Sequence, residues 1–200
     1  MTPPGTFERV YTALKDRLRR GAFRPGERLE PAALSDELFA SVTPIRDALH
    51  RLTGERLVEA PRQEGFRVPA LSETRLRHLY AWHRDLLLLA IMRHRSTRRT
   101  EEVVDSDAPA EDEDLRLSFS ALARASGNPE LVLALESVRE RLDPFERFET
   151  MILDEVEAES RAIISALRSA DTRLLRKRLL SYHRRRERIV PELLERSQEQ

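Results

Sequence analysis

A threonine, an arginine and a histidine lie close together in the stretch SVTPIRDALHRL, and their types suit contacts with a polyanion. Arg46 and His50 are four residues apart, so they share one face of a helix. The apolar residues recur at helical spacing on another face: Ile45, Ala48, Leu49 and Leu52. Arg46 can donate to a guanine edge or a phosphate, whereas Thr43 suits a phosphate, which positions a protein without reading sequence. A short helix with these two faces has the form of a DNA recognition helix.

Polar and turn-forming residues on both sides of this stretch predict how the helix is positioned. Ser41 and Thr43 precede it, and the Thr43 oxygen can cap the helix so that Pro44 takes the first helical position. After the helix, Leu57–Ala60 and Phe66–Pro69 are typical of short strands joined by a charged turn. Four turn or flanking residues become further candidates for DNA contact: Arg51, Arg62, Gln63 and Gly65, where Gly65 allows close backbone approach.

Composition limits the function classes without choosing one. The chain has 200 residues, with 35 Lys plus Arg, 35 Asp plus Glu and no cysteine. A net charge of zero argues neither for nor against nucleic acid, and a local patch must supply the attraction. The absence of cysteine excludes disulfides and cysteine-based zinc sites. The longest apolar run, Leu86–Met92, is too short to span a membrane, and the N-terminus lacks the features of a signal peptide. We therefore expect a soluble intracellular protein.

Two further helices precede the central stretch. Phe7–Gly21 has apolar residues on one stripe, and Pro31–Leu38 repeats them three and four apart. Arg24–Leu29 between them is a turn into a short extended segment. The predicted order is therefore helix, helix, turn, helix and a two-stranded wing.

Residues 7–70 resemble the winged-helix DNA-binding domain of the GntR family of bacterial transcription regulators. The match rests on short motifs in the family's order and spacing: Leu18–Gly21, Arg24–Leu29, Ala33–Ser35, Thr43–Leu49, Arg51–Leu52 and Leu57–Glu59. The resemblance implies a cytoplasmic, nucleoid-associated repressor that binds a palindromic operator as a homodimer. Two positions depart from the family pattern, because Val42 replaces a DNA-contacting arginine and Arg56 replaces a glycine.

The charge of this half leaves its function open. Met1–Ala70 contains twelve Arg plus Lys and ten Asp plus Glu, so the excess of positive charge is small. Its arginines are either a DNA-binding face or ordinary solvated surface. His50 likewise either contacts DNA or packs against the domain.

The second half is predicted to be helical throughout, which makes the whole chain mainly α. Expected helices cover Leu76–His94, Asp112–Ala125, Pro129–Leu142, Phe145–Leu153, Val156–Ser169 and Asp171–Glu195, with a bend at Pro191. Asp143-Pro144 is expected to break the chain between two of them, and Ser96–Ala110 is expected to be a loop. The predicted division is a DNA-binding domain at 1–70, a linker at 71–75 and a helical domain at 76–200.

This half resembles, more loosely, the FCD ligand-binding domain found in one branch of the GntR family. The resemblance rests on Leu122–Pro129, Ala162–Asp171 and Tyr182-His183. Many members hold a divalent metal there through one Asp and three His. The aligned positions here are Arg116, Ser120, Ser160 and His183, which do not form a plausible metal cage. We therefore expect no metal and no cofactor. Either these four positions line the polar end of an effector pocket, or side chains fill the cavity and the domain serves for dimerisation.

The remaining alternatives concern single residues and other function classes. His78 and His83 are five residues apart and His94 is more distant, so each is expected to be a satisfied or surface histidine. His183 is either a core residue or an effector contact. The chain has no G-x-S-x-G or H-E-x-x-H motif, which argues against an enzyme. The second candidate function is a dimeric helical interaction protein with the regulator fold but weakened DNA readout, as Val42 suggests.

Overall fold

The fold is mainly helical, as predicted, and carries one small antiparallel sheet. A computed structural model describes residues 5–62, 64–97 and 114–199, with only the backbone for 94–97. The elements in this part of the chain are α1 (Thr6–Arg19), β1 (Arg28–Leu29), α2 (Pro31–Glu37), α3 (Val42–Gly54), β2 (Phe66–Arg67), α4 (Glu73–Thr97), α5 (Leu115–Ala125), α6 (Pro129–Ile152), α7 (Val156–Arg168), α8 (Thr172–Arg188) and α9 (Val190–Gln198). None of the described helices is long and apolar enough to cross a lipid bilayer.

The first three helices enclose one hydrophobic core. It includes the apolar face predicted for α3, whose Ile45, Ala48, Leu49 and Leu52 are fully buried. The strand pairing differs from the prediction, because β2 pairs antiparallel with β1 and only Glu59 of the segment 57–60 bridges to Arg67. Leu57 and Val58 are buried, and both backbone N–H groups bond to the carbonyl of Leu52. These two residues therefore complete the end of α3 before strand pairing can begin.

The start of α3 also differs from the prediction. The helix begins at Val42 with Ser41 at the N-cap position, so Thr43 is a helical residue and not the cap. Pro44 is the third helical residue and not the first. It is still tolerated, because N–H groups in the first turn have no partner within the helix.

A left-handed residue ends α3. Arg56 has φ of 63°, and its N–H bonds to the carbonyl of Thr53, while the N–H of Leu57 bonds to that of Leu52. This is the Schellman pattern, which favours glycine because a side chain is strained there. Arg56 therefore preserves the glycine-type helix end and introduces strain.

We expect Arg56→Gly to raise the free energy of unfolding by about 1 kcal/mol, since it relieves this strain. Arg56 also contributes to lowering the pKa of Arg141, after burial, so the substitution removes a repulsion between like charges. Urea unfolding of both proteins measures the difference. A lower stability of the glycine variant would contradict the expectation.

The remaining helices enclose a second core around α4, which begins earlier than predicted. The Ser72 oxygen accepts the Arg75 N–H at 3.3 Å, as expected for a cap. Of the predicted loop Ser96–Ala110, residues 98–110 lie outside the described part, and Ser96 and Thr97 still belong to α4. The predicted helix start at Asp112 is outside it too. The chain turns at Ile189 between α8 and α9, so Pro191 lies in the first turn of a new helix.

The predicted break at Asp143-Pro144 is wrong, because α6 continues through both residues. Pro144 removes one helical hydrogen bond, but α1 packs against this part of α6. Asp143 is buried, and its Oδ2 accepts from Arg19 Nε at 2.5 Å. Lys15 Nζ lies 2.8 Å from Glu140 one turn earlier. These contacts connect the two cores and stabilise the continuous helix.

Candidate functional site

The outer face of α3 carries an arginine without a carboxylate partner. Arg46 is exposed, and within the described part of the chain its side chain has no ion pair or hydrogen bond. Ser41 and Thr43 are also exposed, one turn before it. Asp47 is the neighbouring acid, but it faces a different direction along the helix. A guanidinium that no protein group neutralises is available for an external anion.

The backbone at the start of α3 is available as well. The Ser41 side chain makes no capping hydrogen bond, so it does not accept from the backbone N–H groups of the first turn. Such free N–H groups and the helix dipole together attract phosphate. This end of α3 and Arg46 therefore form one surface suited to a phosphodiester backbone.

His50 connects this surface to the wing. Its ring lies edge-on to Phe66 of β2, with ring centroids 4.9 Å apart, while the residue remains exposed. Gly65 precedes Phe66 with φ of 76°, a conformation that a side chain would strain. Arg62 is exposed at the wing turn and forms no hydrogen bond or ion pair with a described residue, whereas Gln63 lies outside the described residues. The sequence left His50 open between DNA contact and packing. Its ring packs against the wing but the residue stays exposed, so its contact with DNA stays a prediction.

Arg51 lies on a different side of α3 from Arg46, and its contact with DNA stays a prediction. Its guanidinium lies 3.3 Å from Glu8 and 3.4 Å from Glu55, and 3.9 Å from the centre of the Tyr11 ring. A separation of five residues turns Arg51 by about 140° from Arg46 around the helix. Arg51 therefore links α3 to α1, although 46% of its side-chain surface stays exposed.

A cavity of about 160 Å³ lies within the helical second half. This volume exceeds what one water needs, so a small molecule fits. Of the four predicted pocket residues, Arg116 and Ser160 line it. Ser120 and His183 lie behind the wall, where each bonds to a residue that does line the cavity. Ser120 Oγ accepts from Arg139 at 2.6 Å, and His183 Nε2 lies 3.0 Å from His83 Nδ1.

The His83–His183 pair was not predicted. Both rings are buried, and His183 Nδ1 lies 2.7 Å from the carbonyl oxygen of Leu179. Burial lowers the pKa of His183 to about 3, and nearby Arg186 and Arg84 act in the same direction. Burial also lowers the pKa of His83 well below its ordinary value, with further contributions from His183, Arg139 and Arg186. Both imidazoles are therefore neutral at pH 7.

A buried arginine network forms another part of the cavity wall. Arg186 is 1% exposed, and it lies 2.6 Å from Glu149 and 2.8 Å from Glu159. Its guanidinium carbon stacks 3.4 Å from the centre of the Tyr182 ring. Burial opposes the charge of Arg186, but Tyr182 and the two carboxylates outweigh it and raise its pKa. Tyr80 donates to Glu149 at 2.6 Å, so the network joins α4, α6, α7 and α8.

The four positions aligned with the family's metal ligands hold other interactions. Arg116 pairs with Glu146 and lies 3.4 Å from Asp143, and the Ser160 hydroxyl donates to the Val156 carbonyl of its own helix. In the described ranges, no group of three or more His, Asp or Glu side chains is arranged to hold a metal ion. The absence of a metal stays a prediction.

Comparison with known proteins identifies the first part of the chain. Residues 6–68 match the family model described as bacterial regulatory proteins, gntR family. The HTH-type transcriptional repressor GlaR of Escherichia coli (strain K12) is 39% identical over 70 residues, which are 35% of this chain and 32% of GlaR. The HTH-type transcriptional regulator McbR of the same organism is 33% identical over 82 residues, 41% of this chain and 37% of McbR. The chain thus matches about a third of the length of these relatives, which are regulators and not enzymes.

Solved structures extend the likeness in fold to nearly the whole chain. E. coli McbR/YncC has a TM-score of 0.64 at 20% identity, covering 94% of this chain and 98% of that one. A putative GntR transcriptional regulator from Rhodococcus sp. RHA1 has a TM-score of 0.70 at 18% identity, covering 93% and 97%. The family match does not extend to residues 72–195, so their FCD character stays a prediction. Residues 6–68 therefore match the helix-turn-helix domain of the gntR family, and the chain shares its overall fold with McbR/YncC and with the putative GntR regulator from Rhodococcus sp. RHA1.

Proposed function

We propose that this chain is a sequence-specific DNA-binding transcription regulator. The observation that carries the proposal is the surface formed by Arg46 and the uncapped start of α3, within the domain that matches the gntR family. Arg46 contacts base edges or phosphate, Ser41 and Thr43 contact phosphate, and Pro44 holds the first turn. On the wing, Arg62, Gln63 and Gly65 approach the neighbouring groove, and His50 supports the wing through Phe66. Residues 1–70 form the DNA-binding domain, 71–75 the linker and 76–200 the helical domain.

The regulator acts in this proposal as a homodimer on a palindromic operator in the bacterial cytoplasm, as a repressor. A palindromic operator contains two half-sites, and a twofold dimer supplies one helix-turn-helix domain for each of them. Three exposed apolar residues support a pairing face on α4, because Trp82, Leu89 and Met92 lie within one sector of that helix. Light scattering of the purified chain measures its mass, and a monomer at micromolar concentration would contradict the dimer.

The helical half serves in this proposal as an effector domain of the FCD type without a metal. The cavity lined by Arg116 and Ser160 supports this role. Ser120 and His183 lie behind its wall and contact residues that line it. α6 borders this cavity and also contacts α1 of the DNA-binding half through Asp143 and Arg19. A ligand that moves α6 can therefore change the position of α1.

We expect the purified protein to enrich a palindromic sequence from fragmented genomic DNA. Arg46→Ala should lower affinity for that sequence by a factor of about 5 to 150, because a bidentate arginine–base contact discriminates by roughly 1–3 kcal/mol. Affinity for unrelated DNA should fall much less. Arg161→Ala is the matched control, because Arg161 is an exposed arginine of α7 with the same charge.

The outcomes separate the two candidate functions. Equal losses on specific and unrelated DNA would reduce Arg46 to a phosphate contact. If a folded dimer enriches no sequence, with or without added small molecules, the regulator proposal fails. That result would favour the interaction protein, for which Val42 at the start of α3 is the supporting observation.

A further inference from the structure

Another cavity lies between the two hydrophobic cores, apart from the one within the helical half, and is called the inter-core cavity below. Its volume is about 70 Å³, which is room for a small group of atoms. Apolar side chains of both cores form much of its wall, among them Leu57 after α3 and Phe145 of α6. A group bound there contacts both parts of the chain at once.

The charged residues that line the inter-core cavity are all arginines in the described part of the chain: Arg56 at the end of α3, and Arg141 and Arg147 of α6. Arg56 and Arg141 form no hydrogen bond or ion pair with a described residue. Arg147 donates to the Gly21 carbonyl at 3.3 Å, but its Nε is buried and has no hydrogen-bond partner among the described groups. The wall therefore carries positive charge that no described carboxylate balances.

The carboxylates next to these arginines in the sequence pair with other cations. Glu55 and Glu140 both bind Lys15, whose Nζ lies 2.9 Å from the first and 2.8 Å from the second. Asp143 lies 2.5 Å from Arg19. Anionic groups that could neutralise the inter-core cavity from within the chain are thus already engaged.

Like charges from the two parts of the chain approach each other at this cavity. Burial lowers the pKa of Arg141, and repulsion from Arg56 and then Arg75 lowers it further. Arg75 has Glu59 at 3.4 Å as a partner, so Arg56 is the unpaired member facing Arg141. An anion held between Arg56 and Arg141 would replace this repulsion by two attractions.

The backbone strain at Arg56 also supports a binding role. Its φ of 63° lies in the region where glycine is preferred at a helix end. Strained residues cluster at binding sites, where the side chain compensates for its cost in stability. Among the described residues, this side chain is the only cation that the helix-turn-helix part contributes to the wall of the inter-core cavity.

We propose that the inter-core cavity binds a small phosphate ester, with the phosphate between Arg56 and Arg141 and a short apolar group inside. A phosphate monoester carries nearly two negative charges at pH 7, which match two unpaired guanidinium groups better than a single carboxylate does. The apolar wall favours an ester over inorganic phosphate. In the proposed regulator, the bound ester fixes α3 relative to α6, but binding itself requires no DNA.

The first test compares three probes by calorimetry on the full chain in phosphate-free buffer: propyl phosphate, inorganic phosphate and butyrate. Propyl phosphate should bind about tenfold more tightly than inorganic phosphate, because its carbons leave water. It should also bind about tenfold more tightly than butyrate, which has a similar apolar group but a single negative charge.

The second test removes the two cations one at a time. Arg56→Gly keeps the helix end in a conformation that glycine prefers, so the variant should stay folded. Arg56→Gly and Arg141→Gln should each weaken propyl phosphate binding about tenfold, because each removes a charge-assisted hydrogen bond. Arg161→Gln is the control, since it removes an exposed arginine of α7 and should leave the affinity unchanged.

Three results would overturn the proposal. The first is that propyl phosphate does not bind, and the second is that it binds no more tightly than inorganic phosphate. The third is full affinity in both Arg56→Gly and Arg141→Gln, which would place the ester elsewhere on the chain. Because none of these measurements contains DNA, their failure is distinct from a failure of the regulator function, which the genomic enrichment tests separately.

Discussion

Replacing Arg186 by methionine should lower the free energy of unfolding by about 3–5 kcal/mol. The substitution keeps an unbranched side chain of similar length but removes the charge. Glu149 and Glu159 are 6% and 11% exposed, so neither can regain full hydration when its partner is lost. Small domains have net stabilities of about 5–15 kcal/mol, and a loss of this size leaves the helical half marginal.

A second substitution shows whether charge or packing causes this loss. Arg186→Met combined with Glu149→Gln removes one stranded carboxylate but keeps an acceptor for the Tyr80 hydroxyl. The double variant should be more stable than Arg186→Met alone. Arg178→Met is the control, since Arg178 is an exposed arginine of the same helix and should change stability by no more than about 0.5 kcal/mol.

Urea unfolding followed by circular dichroism measures all four proteins. A loss below about 1 kcal/mol for Arg186→Met would show that the carboxylates accept protons or water at little cost. If the double variant is no more stable than the single one, the arginine acts through its packing on Tyr182 and not through charge.

The helix-turn-helix half was predictable because its determinants are local. Apolar spacing alone identified the four buried residues of α3, and turn residues placed the wing. The errors lie where tertiary contacts compete with local preference. Pro144 predicts a helix end from local preference. The contact that stabilises α6 as one continuous helix joins Asp143 to Arg19, which lies 124 residues away in the sequence. The contacts of Arg51 with Glu8 and Tyr11 of α1 were not predictable from local spacing either.

The cavity was only partly predictable because its polar groups pair over long separations. His83 and His183 are one hundred residues apart, and no spacing rule connects them. The family alignment pointed to Ser120 and His183, but the structure places both one layer behind the cavity surface, next to Arg139 and His83. Arg186 gave no signal in sequence, because α8 is rich in exposed arginines. Only the fold distinguishes the one that is buried.

Stability should fall as the pH is lowered from 7 to 5, because the folded protein cannot protonate its buried histidines. A histidine in the unfolded chain has a pKa of about 6.5, whereas burial lowers the pKa of His183 to about 3 in the folded state. Between these values the unfolded state binds a proton that the folded state does not. The contribution is therefore fully present above the unfolded pKa and is lost progressively below it. By linkage, His183 alone should remove on the order of 2 kcal/mol between pH 7 and pH 5.

A variant without His183 isolates this effect from the carboxylates, which titrate in every protein compared. In His183→Gln the difference in unfolding free energy between pH 7 and pH 5 should shrink by about 2 kcal/mol relative to the unchanged chain. His78→Gln is the control, since His78 lies on α4 but is not buried, so its removal should leave the difference unchanged. Equal pH dependence in all three proteins would mean that His183 gains a proton while the bundle is folded. The neutral pair would then not describe the protein at pH 5.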